Sequence, residues 1–284
     1  MTNTALTADA KGNFVRANGI DIHYVEEGTG EPLLLLHGGL MSTDRIWAGS
    51  PPAYVTQMGP LSERFHVIAP DLRGHGHTKN QGNRPISYAE LADDASALID
   101  VLRLERPMIC GFSAGAAVAT LVGIKNPGAV RAIVNHAGFD VFDADPRAPT
   151  FVMARQVFGG RPDATEADPT AFDRFSIEHG MSDFIQRLKS DHVAAQGPDG
   201  WKALLNAMFE AFTTPRHSLD DFRKITAPML ILTGDRDFAC SVEQAVQVFR
   251  MLPKGELSIL PGHGHYVPDS SVRVVLEFLR KYQA

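Results

Sequence analysis

Near its start the chain alternates apolar and polar residues, in "NFVRA" (13–17) and "IDIHYVEEG" (20–28), around an Asn18-Gly19 pair. That rhythm predicts a β-hairpin closed by a two-residue turn. Further on the alternation gives way to short, almost unbroken apolar runs: "PLLLLHGG" (32–39), "HVIAPD" (66–71), "PMICGFS" (107–113), "RAIVNHA" (131–137), "PMLILTGD" (228–235) and "LSILPG" (257–262). A strand needs no polar face when both faces are covered, so these runs predict a parallel sheet packed between helices.

Helical periodicity fills most of the gaps. "SYAELADDASALIDVLRL" (87–104) sets Ser87 and Glu90 at capping-box spacing and lines Leu91, Ala95, Leu98 and Leu102 along one face. "SVEQAVQVFRML" (241–252) and "SVRVVLEFLRKY" (271–282) behave similarly. Strands alternating with helices predict an α/β architecture, a doubly wound, mostly parallel sheet. The stretch 139–222 departs from it, with helical fragments broken by "ADPRAP", "GGRPDATEADPT" and "AQGPDG" and no strand-like run. The expected organisation is a core formed by residues 1–138 and 223–284, with a helical cap, 139–222, inserted before the last two strands.

Composition narrows the function classes. With 284 residues, 44% of them apolar, the chain can bury one full core, so a single domain with an insertion is expected. Lys plus Arg number 27 against 33 Asp plus Glu, a net of -6, without a basic run, which argues against a nucleic-acid partner. No apolar stretch is long enough to cross a bilayer, and "MTNTALTADAKGN" has neither a basic nor an apolar signal region. A soluble, cytoplasmic protein with no membrane partner is expected. Cys110 and Cys240 lack metal-site spacing and form no disulfide framework, so both are read as free structural thiols.

Candidate chemistry starts at "ICGFSAGAA" (109–117), where an apolar strand stops at Gly111, places Ser113 and resumes as small residues compatible with a helix. A serine hydroxyl is a weak nucleophile until a base takes its proton, and it must stand clear of the backbone to reach a carbonyl carbon. A sharp strand-to-helix turn does this, and glycines two before and two after the serine relieve the crowding. The amide of Ala114 then opens a helix, where a developing oxyanion can be bound. A dinucleotide-binding loop would want a third glycine in register, but position 117 is Ala, and no carboxylate follows the next strand until Asp140. A base and an acid belong at later strand ends. "LTGDRDF" offers Asp235 and Asp237, and "PGHGHYV" offers His263 and His265, in the chain order Ser, Asp, His.

With these motifs in place, the sequence resembles the α/β-hydrolase fold family, in its serine hydrolase and esterase branch with a helical lid. The landmarks are "HGG" (37–39), "DLRGHGHT" (71–78), "GFSAG" (111–115), "GDRD" (234–237) and "GHGH" (262–265). The resemblance implies Ser113 as nucleophile, Asp237 rather than Asp235 as the acid, and His265 rather than His263 as the base. It further implies an oxyanion hole from the amides of Gly39 and Ala114, with Gly38, Trp47 and Phe112 in substrate binding. His37, His75 and His77 are read as parts of turns and loops rather than metal ligands, and Asp71 and Arg73 as loop anchors. No metal or organic cofactor is implied. Ser113 stands where dehalogenases and epoxide hydrolases of this fold carry aspartate, while Ala116 stands where several esterases and ring-cleavage-product hydrolases carry a second glycine.

The implied activity is hydrolysis of a carboxylic ester or lactone of a small, apolar molecule through an acyl-enzyme. Aromatic and Met residues of the insertion, among them Phe142, Phe151, Phe158, Phe172, Phe175, Phe184, Trp201, Phe209 and Phe212 with Met153, Met181 and Met208, either line the pocket or pack the insertion's own helices. The same three residues also suit carbon–carbon bond hydrolysis, a base-catalysed lyase or cofactor-free oxygenase, or a small-molecule receptor.

Overall fold

A computed structural model of the chain describes residues 12–43, 58–138, 149–159, 166–178, 180–214 and 217–283. Its centre is a sheet of eight strands among the described residues: β1 (Asn13–Ala17), β2 (Ile20–Glu27), β3 (Pro32–Leu36), β4 (His66–Pro70), β5 (Met108–Phe112), β6 (Ile133–His136), β7 (Met229–Gly234) and β8 (Gly255–Leu260). The first two form the expected hairpin, with Asn18 and Gly19 both at positive φ (44° and 79°), as a type I′ turn requires. The spatial order is β1-β2-β4-β3-β5-β6-β7-β8, antiparallel over β1, β2 and β4 and parallel from β4 to β8.

Burial follows the apolar runs. Every residue of β5, β6 and β7 is buried, whereas β8, on the sheet's edge, is only half-buried apart from Leu260. Its run therefore looks the same as the others in sequence although, among the described residues, one of its long edges has no neighbouring strand.

Helices α1 (Met58–Ser62), α2 (Tyr88–Val101) and α3 (Ala114–Lys125) connect the first strands. Between β6 and β7 the described residues hold four α-helices, a 3-10 turn (Leu219–Lys224) and no strand: α4 (Pro149–Phe158), α5 (Pro169–Glu178), α6 (Ser182–Gln196) and α7 (Pro198–Thr213). The last two helices are α8 (Val242–Met251) and α9 (Asp269–Arg280). Helix α3 packs on α2, β5 and β6, while α9 packs on α1, β7 and β8, which covers the sheet as a parallel sheet needs. The capping box read at the start of α2 is half formed. Ser87 accepts from the Glu90 amide, but the Glu90 carboxylate turns away from the cap to Asn18, to Arg84 and to the buried Arg73, which Asp94 also holds.

The chain order sets where a crevice can open. From β3 the sheet grows outward on one side to β4, and from β5 it grows on the other, so β3 and β5 are neighbours whose following segments part. Ligands of open α/β sheets bind beyond the carboxyl ends of the strands at such a switch point. Here those ends are Leu36 and Phe112, the residues that precede "HGG" and Ser113.

Candidate active site

Ser113 sits between β5 and α3 with φ 51° and ψ −117°, a conformation costly for any residue with a side chain. Neighbouring backbone enforces it. A Cβ on Gly111 would stand 2.3 Å from the Gly115 carbonyl oxygen, and one on Gly115 would stand 2.3 Å from that of Leu36. These contacts press the first turn of α3 against the end of β3, which is why both positions read as glycine. The Ser113 amide donates to the His136 carbonyl at 2.8 Å and so anchors the turn to β6.

The last two strands bring the partners. His265 Nε2 lies 3.0 Å from Ser113 Oγ, and His265 Nδ1 lies 2.9 Å from Asp237 Oδ2. Asp237 is held in turn by the amides of Ala239 and Cys240, which donate to its Oδ1 at 2.8 and 2.9 Å. Its side chain is 1% exposed. Burial alone would raise its pKa, but the neighbouring His265 and the two amides outweigh that and hold it below the usual carboxylate value. The other two candidates of those loops point elsewhere: Asp235 accepts from the Gly262 amide at 2.6 Å, and His263 Nδ1 lies against the Pro261 carbonyl at 2.8 Å.

On the β3 side, His37 is fully buried. Its Nε2 accepts from the Leu72 amide at 3.0 Å, so the ring proton belongs on Nδ1, which donates to the Gly38 carbonyl at 2.8 Å. That bond orients the Gly38–Gly39 peptide, whose N–H is the Gly39 amide. The Gly39 Cβ position would lie 3.6 Å from the Ala114 side chain, so the two glycines and the α3 N-terminus share one corner. The amide of Ala114 has no acceptor within its helix, as at the start of any helix.

Asp71 ties the loop after β4 to β2 and to the segment after β3. Its Oδ1 accepts from the Thr43 amide at 2.7 Å, and its Oδ2 takes His23 Nδ1 and the His77 amide at 2.9 Å each. Although burial works against the charge, these donors and the nearby His37 lower its pKa to about 2. Arg73 is likewise structural in position, bonded to Asp94 and Glu90.

A cavity of about 160 Å3 opens over Ser113 and His265. Its floor is Gly38, Gly39, Leu40, Met41 and Phe112; its wall comes from α4 to α7, with Phe158, Phe172, Phe175, Phe184 and Phe212 among others; Phe238 stands at its edge. No charged side chain lines it among the described residues. Of the insertion's candidates, Trp201 and Phe209 are buried among its own helices instead, while Met208 is buried against Gly39 of the core. Trp47 and Phe142 lie outside the described residues, as do the side chains of Phe151 and Met153.

Three features escaped the sequence reading. Leu40 and Met41 follow the glycines as ordinary loop residues. His136 looked like the end of a strand, yet its ring stacks edge-on to Phe112 at 5.3 Å, and burial, helped by the charge of His265, pushes its pKa down to about 3. Phe238 had a readable signal, an aromatic residue in an otherwise polar turn directly after the candidate acid.

Residues 33–278 match the model of the alpha/beta hydrolase family, and the chain belongs to that family. It is similar to the 2-hydroxy-6-oxo-2,4-heptadienoate hydrolase of Pseudomonas putida, with 26% identity over 94% of this chain and 96% of that protein. It is also similar to the (E)-2-((N-methylformamido)methylene)succinate hydrolase of Acinetobacter baylyi, at 24% identity over 88% of this chain and 89% of the relative. Among solved structures, an esterase from Rhodococcus shares the fold with a TM-score of 0.70 and 22% identity, covering 95% of this chain and 98% of the other. No helix among the described residues is long and apolar enough to cross a membrane.

Proposed function

We propose that this protein is a serine hydrolase that cleaves a carboxylic ester or lactone of a small, apolar molecule. The observation that carries the reading is the unbroken relay from Ser113 Oγ through His265 to Asp237, opening onto a cavity whose lining, among the described residues, holds no charged side chain. His265 takes the Ser113 proton as Oγ attacks the carbonyl carbon, and Asp237 holds the imidazole in the required tautomer and stabilises its charged form. The amides of Gly39 and Ala114 receive the oxyanion, their corner preset by His37 and by the helix N-terminus. The acyl–oxygen bond breaks, the leaving oxygen takes the proton from His265, and a water activated by the same imidazole releases the acid. Helices α4–α7 act as a cap over this site, and Gln196 at the end of α6 fastens them to the core through the Gly76 carbonyl at 2.9 Å.

Carbon–carbon bond cleavage is the second reading, favoured by the relative that acts on 2-hydroxy-6-oxo-2,4-heptadienoate. That substrate carries a carboxylate. Burying one against phenyl rings without a cation is costly, and the described wall offers none, so the ester or lactone reading is preferred. The test is a side-by-side screen of esters, lactones and vinylogous diketones with Ser113→Ala protein as background. Ester turnover that falls at least about 10³-fold in the variant supports the proposal; turnover of the diketones alone would replace it with the second reading.

A further inference from the structure

The substrate has two ends, and the site treats them differently. The proton that His265 removes from Ser113 must return to the leaving oxygen, so that oxygen has to come within hydrogen-bond reach of His265 Nε2. The oxyanion points to the Gly39–Ala114 corner. Beside that corner stands α7: a Cβ at Gly39 would be 3.2 Å from the Met208 sulfur and 3.6 Å from the Phe212 ring. The leaving group therefore lies on the imidazole's side, which leaves the helix-lined part of the cavity to the acyl chain.

Two phenyl rings flank that imidazole. Phe112, with its centroid 5.1 Å away, is buried in the core, whereas Phe238, at 5.3 Å, is 53% exposed and still lines the cavity. The turn that holds the acid also presents this ring. Because Asp237 Oδ1 is bonded to the amides of residues 239 and 240, residue 238 is carried at the apex of the bend, away from the core.

We propose that Phe238 forms the leaving-group site, and that the group it takes is a flat apolar one, an aryl or enol-type alcohol. This rests on the reading of Ser113 as the nucleophile. In the step concerned, the Ser113 Oγ–carbon bond forms, the bond from that carbon to the aryl oxygen breaks, and His265 returns the serine proton to the departing oxygenate. Phe238 stacks on the leaving ring and takes no part in proton transfer.

The experiment measures kcat/KM for phenyl acetate, methyl acetate and methyl hexanoate with the wild-type protein, Phe238→Ala and Phe238→Tyr. The expected result is that Phe238→Ala lowers the phenyl-to-methyl acetate ratio about tenfold through KM, leaves the hexanoate-to-acetate ratio in place, and is rescued by Phe238→Tyr. Labelling of Ser113 by a fluorophosphonate reports that each variant is folded. A phenyl-to-methyl ratio that does not move, a loss that follows acyl length, or a shifted pH profile of kcat would overturn the assignment, the last by making Phe238 a support for His265. Absence of any Ser113-dependent ester turnover in the wild-type protein would sink the underlying reading, and the assignment with it.

Discussion

At the rim of the sheet, the groups around Ser113 are held by backbone. The His136 carbonyl anchors the serine turn, the amides of residues 239 and 240 hold Asp237, and the Leu72 amide sets the His37 tautomer. The wall facing it is held by side chains. In α4 to α7, Phe158 stacks on Phe172 at 5.5 Å and on Phe212 at 6.1 Å, and neither contact has a polar direction to keep. Proton transfer needs atoms within a few tenths of an ångström, whereas apolar binding needs only filled volume. On the proposed function the two regions should tolerate change differently, the rim setting turnover and stability and the wall setting affinity.

The largest expected effect is at the rim. Asp237→Asn keeps the size of the side chain but reverses its bonding to His265 Nδ1, and kcat on any ester that the wild-type protein turns over should fall by about 10⁴-fold. A loss below tenfold would mean that the third member of the relay is dispensable. Next comes Gly115→Ala, which drives a Cβ to 2.3 Å from the Leu36 carbonyl oxygen. The backbone must move, and a urea midpoint should report about 3 kcal/mol of lost stability.

Asp71 makes the rim sensitive to acid. Its folded pKa of about 2 lies below the unfolded value of 3.8, so its contribution is complete above pH 3.8 and disappears as the pH falls toward 2. The contribution is about 2 kcal/mol. Urea unfolding of wild-type protein and Asp71→Asn should therefore show a stability gap at pH 7 that narrows near pH 2.5; a constant gap would contradict the linkage. The smallest effect belongs to the wall. Phe175→Ala should raise KM about fivefold for a substrate filling the cavity, with kcat little changed. If it lowered kcat as Asp237→Asn does, the division between rim and wall would fail.

Local patterning reached far along this chain. The hairpin at Asn18-Gly19, the strands from β3 to β8 and the tight bend at Ser113 all arise from short-range causes: turn torsions, continuous apolar runs and glycines at crowded positions. The acid and the base could be shortlisted to two residues each for the same reason, since each pair lies in one strand-end loop. Which residues meet is a different matter. His265 is 152 positions from Ser113, and it reaches the serine only because β5 and β8 end on the same rim with two strands between them. The half-made cap at Glu90, the seating of Phe172 in the cavity and of Trp201 away from it, and the placing of Phe238 beside the imidazole have the same origin. Each depends on a neighbour distant in the chain, and a helical or apolar pattern states that a face is buried without naming what buries it.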